Sequence, residues 1–175
     1  MKTKICVLVV ALVTAWGLKR HYADASADGL RWILSPTTWC VEVITGADFA
    51  ATPGEGYFSA DRMFLIAKSC AGVNFMIAAF GMLIFALSNR VESAISAASV
   101  LVVSLAASYA AAVLVNAARI TLAMALAAHP IDGLSLRADD VHRIEGIVVY
   151  FGGLVALYEL TRRVDGAVVR TRRLS

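Results

Sequence analysis

Several common functional signatures are absent from this chain of 175 residues. Its three cysteines show no CxxC spacing and its three histidines stand far apart, so no metal site is expected. Neither a Gly-rich phosphate loop nor an HExxH segment occurs, and no cofactor is expected. The net charge is only +3, without a basic stripe interleaved with aromatics. The sequence therefore gives no indication of nucleic-acid binding.

Charged residues are also scarce, at 17% of the chain, whereas 59% of the residues are hydrophobic. A soluble domain of this length would be nearer half apolar. The apolar residues are gathered in long runs, which is typical of chains embedded in a membrane. We therefore expect an all-α integral membrane protein, a bundle of about four transmembrane helices in contact with lipid.

Residues 1–20 are predicted to form the first transmembrane helix, retained as a signal anchor. A basic start is followed by an apolar run over residues 5–18, which Lys19 and Arg20 close. The run is shorter than the roughly 20 residues of a span, but flanking basic side chains can snorkel to the interface. A cleaved signal peptide is the alternative, because small residues follow; the basic pair just before them argues against cleavage.

Residues 21–70 are predicted to be an exported loop with an interfacial segment. Residues 30–44 are apolar but contain Pro36, and we expect an amphipathic piece on the outer membrane surface, broken near that proline. A second true span is the alternative there. Residues 45–56 are rich in glycine and predict a turn-rich loop. Residues 57–68 suit a short strand or an extended lead into the next helix.

Residues 71–162 are predicted to be the catalytic transmembrane core. The uncharged stretches 71–87 and 94–115 are each long enough to approach or exceed a span, and a last helix is expected over residues 141–160. Apolar character continues from residue 115 to residue 128. A helix over residues 94–128 would be about 50 Å long. Because the hydrocarbon layer is about 30 Å thick, its last part is expected to protrude, bend or lie flat.

The distribution of charge predicts that both termini lie inside. Basic residues are concentrated in the amino-terminal start, at Arg90 between two spans, and in residues 163–175, predicted to be a basic cytoplasmic tail. Short inner loops are expected to be enriched in lysine and arginine. Most acidic residues fall in the segments predicted to be outside, between helices 1 and 2 and before the last helix. Lys19 and Arg20 do not fit this pattern.

With this orientation, polar groups from three helices lie at one membrane level. Cys70 begins the second helix, Asn116 and Arg119 end the outer part of the third, and His142 starts the fourth. A charged group in a span costs roughly 2.5 to 3.5 kcal/mol on insertion scales, so Arg119 is expected to face protein or water. Asn116 lies one turn away on the same face.

Each of these residues also has a purely structural interpretation. Cys70 alone is more often a small buried side chain, and a disulfide with Cys40 is a second alternative. Arg119 can snorkel to the interface. His142 is compatible with an ordinary surface position, and Glu145 with a carboxylate favoured near a helix start.

Taken together, these residues favour covalent catalysis. A free thiol is mostly protonated at neutral pH, and a nearby histidine or arginine favours the nucleophilic thiolate. The dipole of the first helical turn keeps a histidine neutral, which would suit His142 as a general base oriented by Glu145. Arg119 would donate hydrogen bonds to an oxyanion. The small residues after Cys70, Ala71 and Gly72, are expected to leave room for a substrate backbone.

At these residues the sequence resembles the exosortase/archaeosortase family, most closely the exosortase K type. The resemblance covers residues 30–160 and lies in Cys70-Ala71-Gly72 at a helix start, Asn116-Ala117-Ala118-Arg119 followed by Ile120, and His142 opening the last helix. The segments Ser69-Cys70-Ala71-Gly72-Val73-Asn74-Phe75 and Trp32-Ile33-Leu34-Ser35-Pro36-Thr37 resemble the K type in particular.

The resemblance implies a membrane-embedded cysteine transpeptidase or peptidase of the bacterial inner membrane. Such enzymes cleave carboxy-terminal sorting signals of exported proteins through a thioester, with the active site on the outer face. By this resemblance Cys70 is the nucleophile, His142 the acid/base and Arg119 the stabiliser of the transition state. The chain is shorter than the long exosortases and has fewer predicted helices, so it is expected to hold only the catalytic core.

A function from another class is also compatible with the sequence. A non-enzymatic membrane subunit could bind and stabilise the transmembrane helix of a partner, with the polar groups as interhelical contacts. A small transporter fits less well, because no inverted repeat is visible.

Overall fold

The computed structural model describes the backbone of residues 2–128 and 138–172, and the side chains of residues 2–128 and 144–164. Within these ranges the chain forms five α-helices: α1 (Lys2–Asp24), α2 (Arg31–Thr45), α3 (Val73–Leu87), α4 (Ala94–Ala128) and α5 (Ala138–Arg172). Three short strands lie between α2 and α3: β1 (Ala50–Thr52), β2 (Gly56–Ser59) and β3 (Phe64–Ala67). Short 3₁₀ turns at Asp28–Leu30, Lys68–Cys70 and Ser88–Arg90 join neighbouring elements.

Among the described residues, three segments are long and apolar enough to cross a membrane: Lys68–Arg90, Ala94–Ala128 and Ile144–Val164. The first contains α3 with its flanking turns, and the other two lie in α4 and α5. The structure is about 80% helical, so the prediction of an all-α membrane protein is confirmed in this coarse form. The predicted first span, α1, is not among the three, and a count of four spans stays a prediction.

The core lies where α3 and α4 pack together, with α5 and α1 beside them. One cluster of buried side chains surrounds the start of α3 and the middle of α4, and includes Phe75, Ala112 and Ile120. A second cluster lies toward the other end of α3, where α1 contributes Val7 and Ala11. Cys6 of α1 is exposed.

The predicted break at Pro36 is wrong, because α2 continues through this residue. Proline has no N–H, so the carbonyl of Trp32, four residues earlier, lacks its helical donor. The Tyr109 hydroxyl of α4 donates to that carbonyl at 2.7 Å, and the two rings stack with centroids 5.9 Å apart. A partner 77 residues away therefore replaces the bond that proline removes.

A small antiparallel sheet occupies the segment that was expected to be mainly loop. Its strand order is β1-β2-β3, with Ala51 opposite Tyr57 and Tyr57 opposite Ile66. Ile66 is fully buried and belongs to the main core cluster. The sheet therefore anchors the chain just before Cys70, and the strand suggested over residues 57–68 proves to be two strands.

Of the two long helices, α4 has the bounds 94–128 that the sequence indicated, and α5 extends further than expected. The helix α4 is uninterrupted over 35 residues, which corresponds to about 52 Å. The helix α5 also has 35 residues, starts before the predicted residue 141 and continues to Arg172. Most of the predicted basic tail is thus helical.

Candidate active site

Cys70 is the last residue of the 3₁₀ turn that links β3 to α3. The Ala71 N–H donates to the Lys68 carbonyl at 3.0 Å and closes this turn. Cys70 is half-buried, Ser69 before it is exposed, and Ala71 after it is completely buried. The thiol therefore lies where the chain passes from the surface into the helix bundle.

Asn116 of α4 reaches the backbone at Cys70. Its side chain is completely buried, and its amide nitrogen Nδ2 donates to the Cys70 carbonyl. Gly72 permits this approach: its φ is +68°, and a Cβ there would lie 3.1 Å from Asn116 Cγ. The Asn116 amide fills the space on the Cβ side of Gly72, and the room expected for a substrate backbone at Ala71 and Gly72 stays a prediction.

Tyr150 of α5 joins Asn116 to Arg119. The Arg119 nitrogen Nη1 donates to the Tyr150 hydroxyl at 3.2 Å, and this hydroxyl donates to Asn116 Oδ1 at 2.9 Å. The Arg119 guanidinium carbon also lies 5.2 Å from the centroid of the Tyr150 ring. Three hydrogen bonds thus lead from a cation on α4, through α5 and back to α4, to the residue that carries the thiol.

The Arg119 guanidinium determines which group donates and which accepts in each of these three hydrogen bonds. A guanidinium has only donors, so the Tyr150 oxygen must accept from Arg119. The hydroxyl proton is then directed to the oxygen of the Asn116 amide. The amide nitrogen is left facing the Cys70 carbonyl, which can only accept. We call these three bonds the Arg119–Tyr150–Asn116 chain.

One face of α5 is turned toward α4. A Cβ at Gly146 would lie 3.0 Å from Arg119 Nε, and one at Gly153 would lie 2.8 Å from Val115 Cγ1. Gly146, Tyr150 and Gly153 follow at spacings of four and three residues, so they share this face. Small residues therefore let α5 approach α4 closely on either side of Tyr150.

Position 142 belongs to the same face of α5, one turn before Gly146. The side chain of His142 lies outside the described residues, so its role as acid/base stays a prediction. Because α5 begins at Ala138, His142 is its fifth residue. The expectation that it lies in the first helical turn is wrong, and the helix-dipole argument for a neutral imidazole loses its basis.

Glu145 adds a carboxylate to this region. Its side chain is only 7% exposed. The Tyr150 hydroxyl lies close enough to Arg119, Cys70 and Glu145 for electrostatic interaction with all three. Charges of both signs therefore surround the hydroxyl, while the orientation of His142 by Glu145 stays a prediction.

Two lysines tie the end of α1 to the segment around Cys70. Lys19 Nζ donates to Asn74 Oδ1 in the first turn of α3 at 2.7 Å. Lys68, in the same turn as Cys70, donates to the Ala23 carbonyl at 3.0 Å. Both ammonium groups lie over the Tyr22 ring, at 5.7 and 5.3 Å from its centroid. Lys19, which did not fit the charge pattern, thus fastens α1 to α3.

The alternative disulfide between Cys40 and Cys70 is not formed, and all three cysteines are free. The structure brings together Cys70, Asn116 and Arg119 from the predicted set, with Glu145 nearby. Tyr150, Lys19 and Lys68 were missed from the sequence. A usable signal for Tyr150 was its spacing of eight residues from His142, with the small Gly146 midway.

Comparison of the chain with protein-family models, with curated proteins and with solved structures finds no match. The resemblance to exosortases therefore rests on the sequence segments given above.

Proposed function

We propose that this protein is a membrane-embedded cysteine transpeptidase or peptidase that cleaves the carboxy-terminal sorting signals of exported proteins. Its substrates are exported proteins bearing such a signal, and its membrane is the bacterial inner membrane, with Cys70 on the outer, periplasmic face. The proposal is supported chiefly by one observation: a half-buried thiol whose backbone is bonded to a buried amide, linked in turn to an arginine.

The proposed reaction has two steps. The Cys70 sulfur attacks a substrate carbonyl carbon, His142 takes the thiol proton, and Arg119 donates to the resulting oxyanion. The C–N bond then breaks, and His142 returns the proton to the leaving amine, which leaves a thioester on Cys70. An acceptor amine or water next attacks the thioester, loses a proton to His142 and releases the thiol.

The test compares Cys70→Ala with Cys40→Ala, a substitution of another half-buried cysteine. An epitope-tagged exported protein from the host, with an apolar carboxy-terminal helix and a basic end, serves as the reporter. We expect Cys70→Ala to insert normally and to abolish conversion of the reporter, since no other group supplies the nucleophile. Cys40→Ala should retain conversion. Conversion in the Cys70→Ala variant at the parental rate would refute the proposal.

A second candidate function is a non-enzymatic subunit that binds the transmembrane helix of a partner. It is favoured by a groove of ≈ 830 Å³ at the end of the bundle opposite Cys70, which we call the inner groove. It is lined by parts of α3, α4 and α5 that include Leu83, Val103, Ser104 and Leu160. The Ser104 hydroxyl is buried and has no hydrogen-bond partner among the described residues.

A photo-crosslinker at Val103, which is 56% exposed and lines the inner groove, separates the two functions. The subunit function predicts crosslinks to one membrane protein and full activity of that complex when Cys70 is replaced by alanine. The enzyme predicts that replacement of Cys70 stops processing whatever is captured at Val103.

A further inference from the structure

We infer that Tyr150 is a positioning residue for Cys70: its hydroxyl holds Arg119 and Asn116 in the arrangement that keeps the thiol reactive. This inference rests on the proposed function, since it takes Cys70 as the reactive group. Tyr150 itself is assigned no contact with substrate and no proton transfer.

The Tyr150 ring is held by packing that does not depend on its hydroxyl. The ring is partly buried and lies 5.3 Å from the Phe75 ring, at an angle of 40°. Its other neighbour is the Arg119 guanidinium, 5.2 Å from the centroid. A phenylalanine at this position would preserve both ring contacts, so the hydroxyl can be removed without removing the packing.

A hydroxyl at position 150 is required to connect Arg119 with Asn116. It must accept from a guanidinium nitrogen and donate to an amide oxygen at the same time, and a tyrosine hydroxyl does both. Without it, Asn116 Oδ1 loses its donor, and only the bond from Nδ2 to the Cys70 carbonyl is left to hold the amide.

The hydroxyl also links the Arg119 charge to charge at the sulfur. When the thiol loses its proton, negative charge appears within electrostatic range of the Tyr150 hydroxyl, to which Arg119 donates. A guanidinium held in place favours this charge more than one that moves among several positions, because a preorganised charge needs no reorganisation. The hydroxyl therefore acts on the thiol through Arg119 and Asn116.

The experiment measures alkylation of Cys70 by iodoacetamide as a function of pH, between about pH 6 and about pH 10, around the titration of a free thiol. Cys6→Ala and Cys40→Ala leave Cys70 as the single thiol, and Tyr150→Phe is introduced into this background. The matched control is Tyr158→Phe: Tyr158 is also on α5, with the Arg162 guanidinium carbon 5.8 Å from its ring centroid.

We expect Tyr150→Phe to displace the pH–rate profile toward higher pH, so that alkylation at pH 7 slows about three- to tenfold. The rate at high pH, which reports access to the sulfur, should stay unchanged. Tyr158→Phe should reproduce the parent profile. Coincident profiles for the two variants, or a change confined to the high-pH rate, would overturn the inference, since a packing role affects access alone.

A second measurement tests the Arg119–Tyr150–Asn116 chain itself. Groups that act through one chain have non-additive effects, so adding Tyr150→Phe to Asn116→Ala should displace the profile little further. If the two displacements of the pH–rate profile add fully, the three residues do not act through one chain of hydrogen bonds. Alkylation needs no substrate, so a negative result in this experiment does not bear on conversion of the reporter. Conversion of the reporter by Cys70→Ala would refute the proposed function without changing the alkylation profiles.

Discussion

The two ends of the bundle formed by α3, α4 and α5 are packed in different ways. At the Cys70 end, hydrogen bonds of Asn116, Arg119 and Tyr150 cross between helices. At the opposite end the helices leave the inner groove of ≈ 830 Å³ between them. There the Ser104 hydroxyl is buried without a hydrogen-bond partner among the residues that the structure describes.

The difference is that buried hydrogen bonds fix the relative positions of the helices at the Cys70 end. A buried polar group is costly unless it is hydrogen-bonded, so the bonds at the Cys70 end select one arrangement of three helices. The groove at the opposite end is lined by both apolar and polar side chains, and the Ser104 hydroxyl among them has no hydrogen-bond partner within the described residues. The hydrogen-bonded arrangement at the Cys70 end therefore fits the positioning of reacting groups that we propose there.

The largest expected effect comes from Arg119→Lys at the Cys70 end. A single ammonium cannot replace a planar fork that donates both to Tyr150 and to a developing oxyanion. We expect conversion of the reporter to fall about 10²- to 10³-fold, the cost of losing one oxyanion donor. Arg162→Lys, over Tyr158 on the same α5, is the matched control and should change conversion less than twofold, a rough bound for an exposed charge. An equal reduction of reporter conversion in both variants would contradict an active site at Arg119.

An intermediate effect is expected from Gly72→Ala, because alanine at φ +68° is strained and its Cβ would lie 3.1 Å from Asn116 Cγ. The left-handed conformation alone costs about 1–2 kcal/mol. We expect lower thermal stability in detergent and about tenfold slower conversion, as the Asn116 bond is displaced. Gly81→Ala in α3 meets no atom within 4 Å and should stabilise the helix. Thermal stability should therefore fall for Gly72→Ala and rise for Gly81→Ala, and a change in the same direction for both would contradict this role of Gly72.

The smallest effect is expected at the inner groove, from Ser104→Ala. Removing a buried hydroxyl without a partner should leave the free energy of unfolding unchanged or raise it by up to about 1 kcal/mol. Ser108→Ala is the control one turn away: both side chains are fully buried, but Ser108 Oγ donates to the Leu105 carbonyl at 2.9 Å. Chemical denaturation in lipid–detergent micelles compares them. A larger loss for Ser104 than for Ser108 would indicate that the groove is occupied.

The parts of the fold that depend on runs of uncharged residues could be predicted from the sequence. The stretches 71–87 and 94–115 lie in α3 and α4, and the last helix was placed within α5. The path through Pro36 could not be predicted, because its compensation by Tyr109 depends on a contact between distant segments. The sheet was largely missed because its strands are only three or four residues long.

The placement of the candidate site residues at one end of the helix bundle could be predicted from the sequence, whereas the contacts between them could not. Apolar runs place Cys70 near the start of one helix and Arg119 late in another, which brings them to one end of an antiparallel pair. The role of Tyr150 depends on the rotation of α5 about its own axis. That rotation follows from the close packing of Gly146 and Gly153 on α4, a tertiary contact that α5 alone does not specify.

The most direct test of the central claim is capture of the acyl-enzyme. The protein is quenched with acid during conversion of the reporter, digested, and analysed by mass spectrometry for an adduct on each cysteine. If Cys70 is the nucleophile, a substrate peptide should be attached to Cys70 through a hydroxylamine-labile bond. This adduct should be present in the Cys40→Ala variant and absent in Cys70→Ala. Conversion that proceeds with unmodified Cys70, or with the adduct on another residue, would contradict the role of Cys70 as nucleophile.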